Sequence, residues 1–171
     1  IADIASGHIS MKYGFRGPNF GTVSACASST NALADAYNLI RLGKADVFIA
    51  GGSEASINEA GVGGFNALQA LSTRNDDPKT ASRPFDKGRD GFVKAEGGAG
   101  IILEEYEHAV KRGAKIYCEI IGAGMTADAY HLTAPHPEGL GAYNGMKSAL
   151  KDNNTPVEAV DYVNVHGTST P

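Results

Sequence analysis

Apolar residues fall in two rhythms along the chain. From Ser28 to Leu42, Leu33, Ala36 and Ile40 recur at steps of three and four, which predicts one helical face with Gly43 as its stop. Further helices are expected over about Gly139 to Asp152 and, more briefly, near Tyr106 to Lys111. Other runs have the look of strands. "GTVSAC" is rich in small and β-branched residues and bounded by glycine, and "ADVFIAGGSE" is a short apolar run ended by glycines, the pattern of a buried parallel strand. "GAGIILEE" and "KIYCEIIGAGM" flank the short helix as two more, and "DYVNVHG" reads as a closing strand with Tyr162, Asn164 and His166 on one face. "SINE", Ser56 to Glu59, matches a capping box, and "TPVEAV" offers Thr155 as a cap with Pro156 at the first helical position. Alternating strands and helices predict an α/β fold without close internal repeats.

The rhythm lapses from Ser72 to Gly91, where "STRNDDPKTASRPFDKGRDG" runs for about 20 polar residues. Pro84, Phe85 and Phe92 supply anchors, so an ordered functional loop is expected rather than a disordered linker.

Composition narrows the function classes. With 171 residues, 42% hydrophobic and 20% charged, the chain is long and apolar enough for a packed core rather than disorder. A net charge of -4 argues against nucleic acid as a partner, and no apolar run reaches membrane-spanning length. Glycine, 22 residues, gathers at apparent strand ends, as tight turns require. The two cysteines, Cys26 and Cys118, have no metal-like spacing and form no CxxC pair, which fits a reducing, cytoplasmic setting. "NNT" matches a glycosylation acceptor, but nothing else points to secretion. The opening residues carry neither a start methionine nor a signal-peptide pattern, and "HGTSTP" ends directly after an expected strand, so both ends read as internal to a longer chain.

Two stretches carry candidate chemistry. Cys26, in "VSACASST", stands where a β-rich run gives way to a helix. A lone cysteine is commonly inert packing, but helix N-termini favour thiolate over thiol. The small neighbours Ala25, Ala27 and Ser28 admit a substrate carbonyl, and a backbone N–H there suits an oxyanion, much as in a nucleophile elbow. His166, in "VNVHGTSTP", leaves a strand end into Gly167 beside Thr168 and Thr170, where α/β folds place their sites; the alternative is a histidine satisfied by loop carbonyls. His131 and His136, near Asp128 and Glu138, lie in a stretch with two prolines, so a structured loop is expected there and no metal site. His8 and His108 read as surface or packing residues. "GVGG" and "EGGAG" fit neither a dinucleotide fingerprint nor a P-loop.

Taken in order, "VSACASSTNAL", "GVGGFNALQALSTRND", "ASRPFDKGRDGFV", "EEYEHAVKRGAKIY", "DAYHLTAPHPEG" and "YVNVHGTSTP" resemble the β-ketoacyl-[acyl-carrier-protein] synthases, above all the discrete type II condensing enzymes. The resemblance covers the whole chain and corresponds to the middle of those longer enzymes. It implies a thiolase-like αβαβα layered sandwich of which only the middle portion is present. Residues 1–113 would close the N-terminal half and 114–171 open the C-terminal half.

The resemblance further implies decarboxylative condensation of an acyl-enzyme thioester with malonyl-acyl-carrier protein, lengthening a fatty acid by two carbons. Cys26 matches the nucleophile and His166 the first catalytic histidine; a second histidine and a lysine would lie beyond Pro171. Phe65 matches the aromatic beside the acyl pocket, and Thr133, Thr168 and Thr170 match residues that meet the pantetheine arm. No metal or cofactor is implied, since phosphopantetheine belongs to the acyl-carrier protein, and a homodimer is. Two departures stand out: "KAEGGAG" replaces a "GEGAG"-like run, and Gln69 occupies a frequently basic position. The alternatives are a polyketide ketosynthase, which tends to carry "HGTGT", a thiolase, a non-catalytic chain-length-factor-like partner subunit, and a cysteine hydrolase.

Overall fold

The computed structural model describes residues 2–171. They form two compact units, one of residues 2–52 and 100–160 and a smaller one of residues 53–99 and 161–171. Five α-helices are present among the described residues: α1 (Ile4–Tyr13), α2 (Ser28–Arg41), α3 (Glu59–Ala67), α4 (Tyr106–Lys111) and α5 (Leu140–Asp152). Two strands, β1 (Val47–Glu54) and β2 (Gly97–Glu104), pair with each other.

The face expected of α2 is the one it buries. Ala36 packs with Ala50 of β1 and Leu103 of β2, and Leu33, Tyr37, Ile40 and Phe48 surround them. The helix stays open to solvent on its other side because its polar residues fall between these positions. α4 and α5 occupy the segments that their periodicity predicts. Along α5 the segment around Gly122 and Gly124 lies so close that a Cβ at either would stand about 2 Å from the carbonyl oxygens of Ala149 and Gly145.

Other expectations are corrected. β1 is not a buried parallel strand. It is largely exposed and runs antiparallel to β2, since Glu105, just after β2, donates to the carbonyl of Asp46, just before β1. "GTVSAC", "KIYCEIIGAGM" and "DYVNVHG" form no strands; β propensity specifies an extended chain but cannot supply the partner that makes a ladder. α3 is capped by Asn58, whose side chain accepts from the Gly61 N–H, in place of the Ser56 capping box. "TPVEAV" yields only a 3-10 turn, Val157–Ala159, with Pro156 before it and no side-chain cap. α1, by contrast, has no buried residue and no apolar stripe, and so left no signal in the pattern.

The polar loop is ordered, but of its aromatics only Phe92 is an anchor. Phe85 is 78% exposed, whereas Phe92 is half-buried and its backbone N–H donates to Ala70. Hydrogen bonds close the loop: Ser72 N–H to the Phe92 carbonyl (3.0 Å), Ser72 Oγ to Asp90 (2.8 Å) and Arg74 to the Gly88 carbonyl (3.1 Å).

Candidate active site

In the larger unit, Cys26 lies in a 3-10 turn, Ala25–Ala27, that runs directly into α2. The turn is held by side chains. Ser28 Oγ accepts from the Ser24 N–H (2.9 Å) and donates to the Ala25 carbonyl (2.7 Å), and Asn31 donates to Ser24 Oγ (2.7 Å). Ala25 has φ +49°, a left-handed conformation that costs a residue with a Cβ about 1–2 kcal/mol. Strain of this kind persists where surrounding bonds over-determine the backbone, and the Cys26 thiol beside it is exposed and in no disulfide. Gly52, in β1, approaches the first turn of α2 so closely that a Cβ would stand 2.0 Å from Ser29 Oγ.

Thr133 belongs to the same unit, in the loop before α5. His131 Nδ1 accepts from the Thr133 and Ala134 N–H groups (3.2 and 3.1 Å), and His136 Nδ1 accepts from Glu138 N–H (3.2 Å). Asp128 accepts from the His136 N–H (3.0 Å) and lies against Gly141 of α5, where a Cβ would clash with it. Both histidines thus organise turns through their ring nitrogens, as a structured loop requires.

The smaller unit holds His166, Thr168, Thr170 and Phe65. His166 is exposed on a segment without a strand, followed by Gly167 at φ +55° and Ser169 at φ +65°. Ser169 is the one buried polar residue among those described, 3% exposed. Its hydroxyl accepts from Arg83 N–H and its carbonyl from Gly91 N–H, both at 3.0 Å. Arg89 Nε donates to the Thr170 carbonyl (2.8 Å), and the Thr168 and Thr170 hydroxyls bond each other (2.7 Å). The polar loop and "HGTSTP" are therefore one device, a link that neither stretch of sequence advertises. The signal available was an arginine inside the glycine-bounded "GRDG".

Phe65, on α3, meets Phe92 edge-on with ring centroids 5.2 Å apart, and Lys94 Nζ stands 4.3 Å from its ring centre. Such a cation–π contact contributes about 0.5–1 kcal/mol at an exposed site. Lys94 comes from the departure "KAEGGAG", so that departure places a positive charge on the aromatic face. Gln69, the other departure, adopts a left-handed backbone just after α3, φ +54°.

Relatives with this geometry are known. The β-ketoacyl synthase N-terminal domain model matches residues 1–109 and the C-terminal domain model matches residues 117–171. A 3-oxoacyl-[acyl-carrier-protein] synthase 2 of a Synechocystis strain is 54% identical over all of this chain and 41% of its own length. The mitochondrial 3-oxoacyl-[acyl-carrier-protein] synthase of Arabidopsis thaliana is 52% identical over all of this chain and 37% of its own length. The chain thus spans about two-fifths of the length of these relatives. Among solved structures, a β-ketoacyl synthase from Burkholderia phymatum superposes with TM-score 0.93 at 43% identity, over 99% of this chain and 41% of that one. A ketosynthase bound to the hexaketide, in complex with its type II polyketide acyl-carrier protein, gives 0.94 at 40% identity over 97% and 41%. The α/β architecture is therefore that of the ketosynthases, a portion of the thiolase-like fold, and the chain belongs to the β-ketoacyl synthase family.

Proposed function

We propose that the protein carrying this sequence is a fatty-acid condensing enzyme that elongates acyl chains by two carbons. The observation that carries this reading is the exposed Cys26 thiol on a strained turn at the foot of α2, in a chain of this family. Cys26 sulfur attacks the carbonyl of an acyl thioester, the bond to the pantetheine sulfur breaks, and the carrier protein leaves as its thiol. A malonyl thioester then loses CO2; the electron pair of the broken C–C bond becomes an enolate. His166 donates a hydrogen bond to the enolate oxygen rather than deprotonating Cys26. The enolate carbon attacks the acyl-cysteine carbonyl, the C–S bond to Cys26 breaks, and a β-ketoacyl thioester departs. Phe65 borders the acyl pocket, and Thr133, Thr168 and Thr170 meet the pantetheine arm.

The partners in this reading are acyl-carrier protein and a second copy of the same protein, acting in the cytoplasm. Division into an N-terminal half ending near Gly113 and a C-terminal half beginning at Ala114 goes with it, supported by two family models that meet between residues 109 and 117. Elongation of fatty acids is preferred over polyketide synthesis because the relatives named 3-oxoacyl-[acyl-carrier-protein] synthase stand at 52–54% identity against 40% for the polyketide ketosynthase. Incubation of the full chain with an acyl-carrier substrate, then peptide mass spectrometry, is expected to find the acyl group on Cys26. Acylation of Cys118, or of neither cysteine, overturns the assignment.

A further inference from the structure

We propose that Arg89 is a positioning residue for the Thr168–Thr170 pair, an inference that rests on the reading of those threonines as pantetheine contacts. Three bonds tie residues 169 and 170 to the polar loop, two at backbone carbonyls and one at a side chain: Arg89 Nε to the Thr170 carbonyl (2.8 Å), Gly91 N–H to the Ser169 carbonyl (3.0 Å) and Arg83 N–H to Ser169 Oγ (3.0 Å). Two of these use backbone donors, which no substitution of a side chain on the loop removes. Arg89 supplies the third from its side chain, across 81 residues of sequence, and is itself fixed by a second bond from Nη1 to the Asp86 carbonyl (3.0 Å).

The chain alternates at this point. Ser169 is buried as a peg, whereas Thr168 and Thr170 on either side are partly exposed and join their hydroxyls at 2.7 Å. Ser169 holds a left-handed backbone, φ +65°, a conformation that persists where surrounding bonds fix it. The Gly91 and Arg83 bonds hold Ser169 itself, through its carbonyl and its hydroxyl; the Arg89 bond holds Thr170, the residue after it. Without the Arg89 bond, Thr170 keeps only the long bond from its N–H to Thr168 Oγ1 (3.5 Å) beside the hydroxyl contact, its carbonyl is free to turn, and the hydroxyl pair loses its spacing. The loss falls on pantetheine recognition and leaves the thiol chemistry of Cys26 in place.

Acylation of Cys26 in the full chain separates these effects, using hexanoyl-pantetheine and p-nitrophenyl hexanoate, an ester without the pantetheine arm. Arg89→Gln is expected to raise KM for hexanoyl-pantetheine roughly tenfold, the worth of one charged hydrogen bond, with a much smaller change for the aryl ester. Arg89→Lys keeps one donor for the Thr170 carbonyl and is expected to recover part of the loss. Equal losses on both substrates, or none on either, overturn the proposal. If Arg89→Gln does not fold, Arg89→Lys is read alone, and a wild-type ratio between the two substrates overturns it. Thr168→Val in the same assay tests the underlying reading. A selective pantetheine defect in Thr168→Val but not in the Arg89 variants defeats only the positioning role, whereas an unchanged ratio in Thr168→Val defeats the threonine assignment itself.

Discussion

Gly91 has φ +142°, and a Cβ there would stand 2.4 Å from the Ser72 nitrogen and 2.5 Å from the Leu71 carbonyl carbon. Both neighbours are backbone, so neither can swing aside. Gly91→Ala is expected to destabilise the fold by about 2–4 kcal/mol, combining overpacking with backbone strain, seen as a lower denaturation midpoint. Gly63, in α3, has open space around its Cβ position, and Gly63→Ala is expected to stabilise by about 0.5–1 kcal/mol from helix propensity alone. The opposite signs, measured side by side in urea, test whether close approach or glycine itself governs these positions. A functional prediction belongs at the same scale. His166→Ala is expected to slow malonyl decarboxylation by roughly two to three orders of magnitude while Cys26 acylation persists. Equal damage to both half-reactions would make His166 a general base instead.

The junction between β2 and α4 carries a charge cluster confined to neighbouring elements. Glu104, the last residue of β2, accepts from Arg112 through both oxygens (2.7 and 2.6 Å) and bonds the His108 ring. The Arg112 guanidinium, aided by His108, holds the Glu104 carboxyl down to about 2, below its ordinary 4.5. A carboxylate favoured in the folded state contributes stability above pH 4.5, and that contribution is lost as pH falls from 4.5 toward 2. Glu104→Gln is therefore expected to flatten the stability-versus-pH curve in that window and to leave its slope unchanged at neutral pH. Thermal melts of both proteins between pH 2 and pH 7 decide it. A second ion pair, Arg41 of α2 with Asp152 of α5 at 2.7 Å, lowers the Asp152 carboxyl in the same sense and ties two helices of the larger unit.

Burial is slight across the molecule. Among the described residues the buried apolar ones are Ala34, Ala36, Ala50, Ala81, Leu103 and Ala109, so only one large side chain among them contributes its full burial of about 1.5–3 kcal/mol. Meanwhile Ile102 is 66% exposed, Tyr117 84% and Val163 55%. Such surfaces favour association with other apolar surfaces. The chain spans about two-fifths of the length of its relatives, and groups that act as a unit in catalysis are strongly non-additive. The 171 residues by themselves are accordingly expected to give no detectable β-ketoacyl product from hexanoyl- and malonyl-carrier protein. A soluble monomer of this length turning over like the curated relatives would falsify that expectation. No described helix is long and apolar enough to cross a membrane.

Helices α2, α4 and α5 and the placement of Cys26 were legible in the sequence. An α-helix closes its hydrogen bonds within four residues, so its period, its face toward Ala50 and Leu103 and its glycine stop are all written locally in Ser28 to Gly43. The cysteine at the foot of that helix follows from the same local reading. Strands were legible only as tendency. β1 and β2 are distant in sequence, and nothing in "ADVFIAGGSE" says that its partner is antiparallel or that "KIYCEIIGAGM" finds none among the described residues. Of the expected loop anchors Phe92 packs against Phe65, whereas Phe85 is apolar but exposed, and much of the hold comes from hydrogen bonds whose partners are remote. Arg89 and Thr170 lie 81 residues apart, and Arg83 and Ser169 lie 86 apart. Local sequence determines what short-range bonds can close; which distant backbone groups meet, and hence how the turn after His166 is held, is decided only when the chain folds.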